Sequence, residues 1–357
     1  MLFKNFDFEN EAAIKLFSIK DADYSSTWEH YYNSYNYSIQ KLIEKGLQHN
    51  YELNCRARSI LFLIRHSFEL SLKYNIAQQE KSVPLTHDFS ELFAEFDDSL
   101  QPPAELKSII EKIDFDKDGA CYRYYSDKVE NKPYFTYNDR IEVSDIFKQY
   151  NLINPSTGFI IGKISDPFEY DNRVIKWDLT FHLGECRNLN HIRTQYDMAS
   201  EFLIEGILID NYKAELLYLP LLFLMRHSLE LALKANIFEI QKFSSLIKSK
   251  NYNHEHSLMT LYNCYTDYLS KIDLTTLSDD TKKQFHLFQE KFKELNDTIH
   301  RLDTNSRSFR FPVDRDGKAY VLDIGKIKLI DILKLYYFTD PFITFTNAVL
   351  EEAEVLK

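Results

Sequence analysis

The chain contains 357 residues, which is enough for two ordinary domains, each with its own hydrophobic core. Hydrophobic residues make up 44% of it and charged residues 27%, a composition typical of soluble globular proteins and not of disordered ones. The formal net charge of −11 argues against a basic surface for non-specific binding of duplex nucleic acid, although the 43 lysines and arginines could form a local basic pocket.

Nothing in the sequence indicates a metal site, a cofactor or a membrane segment. The cysteines lie far apart, without a CxxC pair or a zinc-ligand spacing, and we expect reduced thiols at Cys55, Cys121, Cys186 and Cys264. The first residues lack the apolar run of a signal peptide. The longest apolar run, 216–225, is too short for a membrane span of about 20 residues. We therefore expect a cytoplasmic protein with no membrane contact, no metal and no cofactor.

The first predicted elements in chain order are an N-terminal extension, 1–25, and a pair of antiparallel helices over about 28–48 and 52–78. The same pair recurs in the second half of the chain, at about 190–210 and 213–243. The copies are most alike in their second helix, where LFLIRHSFELSLKYNI is matched by LFLMRHSLELALKANI 161 residues later, with 12 of 16 positions identical. The chain therefore contains one fold unit twice.

Further helices complete each unit. One is predicted near 89–114 in the first half, and two near 256–273 and 278–300 in the second. A closing helix follows at 142–150 and, in the second half, at 328–336.

A small β-hairpin is expected before each closing helix. The second hairpin would turn at Asp316-Gly317, a strong hairpin signal, between strands 308–313 and 318–323. The first would turn at 130–133.

These elements predict a mainly α fold of two tandem helical-bundle repeats, each with a small β-hairpin. The predicted boundaries are 26–165 for the first repeat, 166–186 for a linker and 187–357 for the second repeat. Two copies of one unit in a single chain are expected to pack with pseudo-two-fold symmetry, like the subunits of a homodimer.

The second helix of each repeat is apolar almost all round, apart from one narrow row of ionisable side chains, here called the ionic stripe. Its members are Arg65, His66, Glu69 and Lys73 in the first repeat and Arg226, His227, Glu230 and Lys234 in the second. The glutamate stands four residues from both the arginine and the lysine, so opposite charges meet on the helix. Two interpretations remain open: a buried ion network that orients the helices, or a site where histidine transfers a proton and arginine holds a phosphate.

Two further pairs of residues recur. His87 and His256 each precede a helix, where they could form its start cap or belong to a substrate-binding site. Arg123 and Arg310 each precede an aromatic residue and stand four positions before an aspartate. Each could form a salt bridge within its strand or bind an anion beside the stripe. No glycine-rich phosphate loop, zinc-protease motif or serine-hydrolase motif occurs in the sequence.

The pattern RHSxELxLK, followed by the second histidine and the aromatic-flanked arginine, resembles the HEPN superfamily (higher eukaryotes and prokaryotes nucleotide-binding domains), particularly its defence-associated helical bundles. Many members of that family are metal-independent endoribonucleases that work as dimers. An arginine and a histidine from each protomer meet at the interface and promote attack of a ribose 2′-hydroxyl on the adjacent phosphate. Other members have lost catalysis and serve as binding or regulatory modules.

The resemblance implies an RNA-targeting protein, a candidate endoribonuclease effector of phage defence or of a toxin system, in which the repeats form an intramolecular pseudo-dimer. The catalytic residues would be His66, His227, Arg65 and Arg226. The substrate-binding residues would be Arg123, Arg310, Lys73, Lys234, Glu69, Glu230, His87 and His256. The family's ribonuclease signature, an arginine separated from a histidine by four to six residues, does not occur in the chain. The alternative is a non-catalytic HEPN-like module that binds a nucleotide, RNA or a protein partner.

Overall fold

A computed structural model describes residues 7, 9–20, 25–48, 53–127, 132–152, 158–161, 179–186, 188–243, 250–304, 306–321, 328–354 and 356. Over these residues the chain forms twelve α-helices and one two-stranded sheet. The fold is mainly α, as the sequence predicts.

The helices follow the predicted order, but short helices are added in the N-terminal extension and just before the first hairpin, and the closing helix of the second repeat is longer than predicted. The extension and the first repeat contain α1 (Glu11–Leu16), α2 (Trp28–Gln48), α3 (Ala57–Gln78), α4 (Phe89–Ala94), α5 (Ala104–Ile113), α6 (Ala120–Arg123) and α7 (Val143–Leu152). The second repeat contains α8 (Leu189–Ile209), α9 (Ala214–Phe243), α10 (Leu258–Ser270), α11 (Asp279–Leu302) and α12 (Leu329–Glu352). The duplicated helix pair is therefore α2–α3 in the first repeat and α8–α9 in the second.

The helices α3 and α9 form the centre of the molecule. Every residue of α3 from Ala57 to Ile76 is buried, and α9 is buried over most of its length. Among the described residues, α9 is the one helix long and apolar enough to cross a membrane, but 94% of its apolar window is buried inside the protein. Such burial is what the core helix of a globular fold shows.

The two repeats pack face to face with approximate two-fold symmetry. Helix α2 packs on α9, and in the equivalent contact α8 packs on α3. Phe62 and Phe223 occupy equivalent positions of the two repeats, and their rings stack with centroids 4.8 Å apart. Equivalent residues meet only near a symmetry axis, so this ring pair marks the pseudo-two-fold axis.

Each repeat also extends a short arm over the ionic stripe of the other. The first arm, residues 123–127, reaches α9, and the second arm, residues 310–314, reaches α3. The ring of His227 is hydrogen-bonded to the backbone carbonyl of Arg123, and the ring of His66 to that of Arg310, at 3.0 Å in both cases. This exchange interlocks the repeats, because each stripe is covered by residues of the other repeat.

The structure differs from the prediction in the third helix of the first repeat. The helix predicted over 89–114 is two helices, α4 and α5, with Pro102 and Pro103 in the segment between them. Proline lacks a backbone N–H and clashes with the preceding turn, so a continuous helix cannot run through this pair.

The two hairpins are shorter than predicted. Each closes with a single antiparallel bridge among the described residues, Ser126 with Pro133 and Val313 with Ala319. The turn residue Gly317 has a φ of +77°, the left-handed conformation that glycine adopts readily. Residues 128–131 and 322–323 of the predicted hairpins lie outside the described residues.

The two-stranded sheet is a feature that the sequence did not indicate. It pairs β1 (Arg140–Glu142) antiparallel with β2 (Thr180–His182), with Ile141 opposite Phe181. Strand β2 lies within the residues predicted as a linker, so the end of that segment packs on the first repeat.

Candidate functional site

In the first repeat the ionic stripe converges on Glu69. Its carboxylate accepts hydrogen bonds from Lys73 Nζ at 2.7 Å and from His87 Nδ1 at 2.8 Å, and it lies 3.6 Å from Arg65. Arg65 is also paired with Asp114 at 2.9 Å. Burial alone would raise the pKa of Glu69, but Lys73 and then His87 hold that pKa well below its usual value. Glu69 is therefore ionised and fully paired at neutral pH.

The second stripe repeats this arrangement around Glu230. Its carboxylate accepts hydrogen bonds from Lys234 and His256 at 2.9 Å and from Arg226 at 3.0 Å. Asp303 lies 3.2 Å from the other side of Arg226. Burial opposes ionisation of Glu230, yet the charge of Lys234 and the hydrogen bond from His256 lower its pKa well below the usual value. Both stripes are thus closed ion networks.

Each arm places an aromatic ring over the ionic stripe of the other repeat, but only one of the two rings carries a hydroxyl group. Tyr124 of the first arm donates its hydroxyl to Glu230 at 2.9 Å, and its ring faces Lys234 at 5.0 Å. Phe311 of the second arm faces Lys73 at 4.8 Å and has no hydroxyl to donate. Sequence reasoning missed both residues as part of the site. The signal that could have identified them is the aromatic residue that follows the arginine of each arm.

The two histidines proposed as catalysts lie between the stripes and the arms. His66 is 2% exposed and His227 is 1% exposed. Each ring donates from Nε2 to a carbonyl of the opposite arm, because a carbonyl can only accept. Burial lowers the pKa of His66 to about 4 and that of His227 to about 3, so both rings are neutral at pH 7. In this arrangement neither ring is open to a substrate.

Arg123 and Arg310 bring two positive charges close to the pseudo-two-fold axis. Their guanidinium carbons lie 5.7 and 5.9 Å from the ring centroids of Phe62 and Phe223. Burial, and then the charge of Arg123, lower the pKa of Arg310 to about 10. Among the described residues, the Nε of Arg123 is buried without a hydrogen-bond partner, and the contact of its guanidinium with the carboxylate of Asp118 is long at 3.9 Å. We call Arg123 and Arg310 the axial arginines.

The aspartates four positions beyond the axial arginines accept hydrogen bonds from backbone amides, whereas the salt-bridge interpretation requires them to pair with the arginines. The Asp314 carboxylate accepts the backbone amides of Asp316 and Lys318 in the hairpin turn. The Asp127 carboxylate likewise accepts the backbone amide of Lys132. These carboxylates shape the turns of the two hairpins.

The second pair of histidines contacts the stripes directly. The helix caps that follow them are made by the next residue in each case, Asp88 for α4 and Ser257 for α10. The side chains of His87 and His256 are 26% and 30% exposed, which makes them the most accessible members of the two networks.

The candidate residues thus fall into two groups. The stripe residues are locked in ion pairs, whereas the axial arginines are 7% and 8% exposed and lack a close carboxylate partner among the described residues. In the described part of the chain, no cluster of three or more histidine, cysteine, aspartate or glutamate side chains is arranged to hold a metal ion.

Comparison with known protein families matches residues 20–151 to the HEPN domain. The matched span covers the helices α2 to α7, with the first ionic stripe and the first arm. Neither the curated proteins nor the solved structures yield a match to this chain. The match covers residues 20–151 alone, so it assigns a HEPN domain to the first repeat and does not extend to the second.

Proposed function

We propose that this protein binds RNA or a nucleotide through phosphate contacts with Arg123 and Arg310, and that the ionic stripes support this site without taking part in catalysis. A HEPN domain indicates a function related to nucleotides or RNA. The observation that carries the proposal is the pair of buried axial arginines, which repel one another and have no close carboxylate among the described residues.

The stripes favour a binding role over a catalytic one. The arginines of the stripes, Arg65 and Arg226, are 2% and 0% exposed and already hold two carboxylates each. A general base works best with a pKa near the operating pH, and burial takes both stripe histidines several units below it. Removing one partner from such a network would leave a buried charge unpaired, which makes the stripes structural elements.

The axial arginines suit a phosphate because a guanidinium offers several N–H donors in the planar arrangement that phosphate oxygens accept. Burial, and then the charge of Arg123, lower the pKa of Arg310, and an anion near the axis would offset the repulsion between the two arginines. The site would be composite, since one arginine comes from each repeat. The net charge of −11 limits non-specific attraction, so binding would depend on this local pair.

The proposal is tested by fluorescence anisotropy with a labelled single-stranded RNA, comparing the wild type with Arg123→Ala/Arg310→Ala. The matched control is Arg315→Ala, an exposed arginine in the turn of the second hairpin. Loss of a single charge-assisted hydrogen bond, worth about 1.5–3 kcal/mol, already predicts binding about 10- to 150-fold weaker, so the double variant should lose at least this much affinity. The salt dependence of binding should also fall, by a slope of about 0.7 for each phosphate that the double variant no longer neutralises.

Unchanged affinity in a folded double variant would remove the axial arginines from the binding site. If the wild type binds neither RNA nor a nucleotide, the result would favour a protein partner as the ligand of a non-catalytic module.

A second candidate function is a metal-independent endoribonuclease, an effector of phage defence or of a toxin system. The observation that favours it is the grouping of His66, His227 and the axial arginines from both repeats around one axis. A histidine would take the proton of a 2′-hydroxyl, whose oxygen attacks the adjacent phosphorus. The bond to the 5′ oxygen would break as that oxygen receives a proton. The arms would have to open to admit the substrate.

Cleavage is tested by incubating RNA with the protein in EDTA and comparing the wild type with His66→Ala/His227→Ala. Products with 2′,3′-cyclic phosphate and 5′-hydroxyl ends, formed by the wild type alone, would establish the second candidate. Intact RNA in a complex with the wild type would support binding without cleavage.

A further inference from the structure

A cavity of about 490 Å³ opens in the second repeat, and neither axial arginine lines it. Its walls are the C-terminal half of α9, the start of α8, residues 250–253 and part of the first arm. Small-molecule sites in proteins span about 300–1,000 Å³, so the cavity is large enough for a mononucleotide-sized ligand.

The first repeat has large aromatic side chains at two positions whose counterparts line the cavity in the second repeat. Trp28 and Tyr74 stand where the second repeat has Leu189 and Ala235. The Trp28 ring lies 5.7 Å from Lys73 Nζ, and Tyr74 is only 7% exposed. Replacement of these two bulky residues by smaller ones leaves room for the cavity in the second repeat, where α9 also extends beyond the position at which α3 ends.

The replacements also change the charge around the space. Glu29, beside Trp28 in the first repeat, hydrogen-bonds to Tyr74 and has Asn190 as its counterpart in the second. The cavity of the second repeat is lined by Lys242 and Lys250, by Lys234, whose charge is already paired with Glu230, and by the acidic residue Glu239. The carboxylate of Glu239 already accepts a hydrogen bond from Asn347 at 3.2 Å. The balance of charge in the cavity is therefore positive.

Aromatic rings lie next to the lysines. The ammonium of Lys242 is 4.7 Å from the ring centroid of Phe238, which is 58% exposed, and that of Lys250 is 5.2 Å from the ring centroid of Tyr252. Exposed aromatic faces stack on planar rings, and neighbouring ammonium groups attract phosphate or carboxylate oxygens.

We propose that this cavity is a binding site for a small anionic ligand with a planar aromatic ring, of the size and chemistry of a nucleoside monophosphate. The site does not depend on phosphate binding at the axial arginines, because it uses none of their contacts. Its wall includes Tyr125 of the first arm, two residues after Arg123, so a bound ligand would touch both repeats.

The test is isothermal titration calorimetry with four nucleoside monophosphates (AMP, GMP, CMP and UMP), and with adenosine and inorganic phosphate as partial ligands. The first variant, Ala235→Tyr, restores the residue of the first repeat and fills the cavity. The second, Lys242→Glu/Lys250→Glu, reverses two exposed charges without touching the core. Lys283→Glu on α11, whose side chain is 79% exposed, is the matched control.

We expect at least one monophosphate to bind the wild type and the control equally, and adenosine and phosphate to bind it more weakly. The lysine variant should lose about tenfold or more in affinity, and Ala235→Tyr should lose binding altogether. RNA affinity of the lysine variant should stay at the wild-type value, which separates this site from the axial one.

The proposal is overturned if none of the four monophosphates binds the wild type, or if the folded lysine variant binds them as tightly as the control. Should Ala235→Tyr fail to fold, the lysine variant decides, because both of its substitutions are at the surface.

Discussion

Replacing Glu230 with glutamine tests whether the ionic stripe is a buried structural network. Glu230 is fully buried and accepts hydrogen bonds from Arg226, Lys234, His256 and Tyr124. Glutamine keeps the shape but removes the charge, so the buried cations lose their counter-ion. Breaking a buried ion pair in this way costs about 3–5 kcal/mol of the free energy of unfolding.

The free energy of unfolding is measured by urea denaturation followed by circular dichroism, for Glu230→Gln and for the control Glu294→Gln. Glu294 pairs with Lys291 at 2.9 Å on the surface of α11 and is 53% exposed, so its loss should cost about 1 kcal/mol or less. A loss for Glu230→Gln no larger than that of the control would refute the structural interpretation. It would mean that the stripe is solvated and available to a ligand.

Two further predictions follow from the arms and the buried rings. Tyr124→Phe gives the first arm the residue type that the second arm already has. We expect the free energy of unfolding to fall by about 1.5–3 kcal/mol, because the substitution removes one hydrogen bond to the ionised Glu230. An unchanged free energy of unfolding in urea denaturation would exclude this bond. The free energy of unfolding should also fall on acidification from pH 7 to pH 5. The folded-state pKa values of His66 and His227 lie near 4 and 3, below the unfolded value of 6.5, so the unfolded chain takes up protons first. Each ring should contribute about 2 kcal/mol to that fall, and a stability that is flat between pH 7 and pH 5 would contradict the burial of the rings.

Much of the fold could be predicted because its helices follow from patterns among residues that are close together in the sequence. Helix α2 begins and ends where the sequence indicates, at Trp28 and Gln48, and the pairing of Glu69 with Lys73 follows from their four-residue spacing. The duplication gave the same information twice, since Glu230 and Lys234 repeat the pair.

The parts that could not be predicted depend on interactions between distant residues. Tyr124 meets Glu230 across 106 positions of the chain, and no local pattern indicates which arm covers which stripe. The partners of the stripe arginines, Asp114 and Asp303, were missed for the same reason. The cavity of the second repeat depends on the small residue Ala235, which in the sequence is one apolar position among many.

An anion site formed by one arginine from each repeat can be located in crystals soaked in tungstate, a tetrahedral dianion with a strong anomalous signal. We expect an anomalous peak within hydrogen-bonding distance of both Arg123 and Arg310, and no such peak in crystals of Arg123→Ala/Arg310→Ala. Tungstate bound elsewhere on the wild-type protein, with no peak beside the two guanidinium groups, would contradict this expectation.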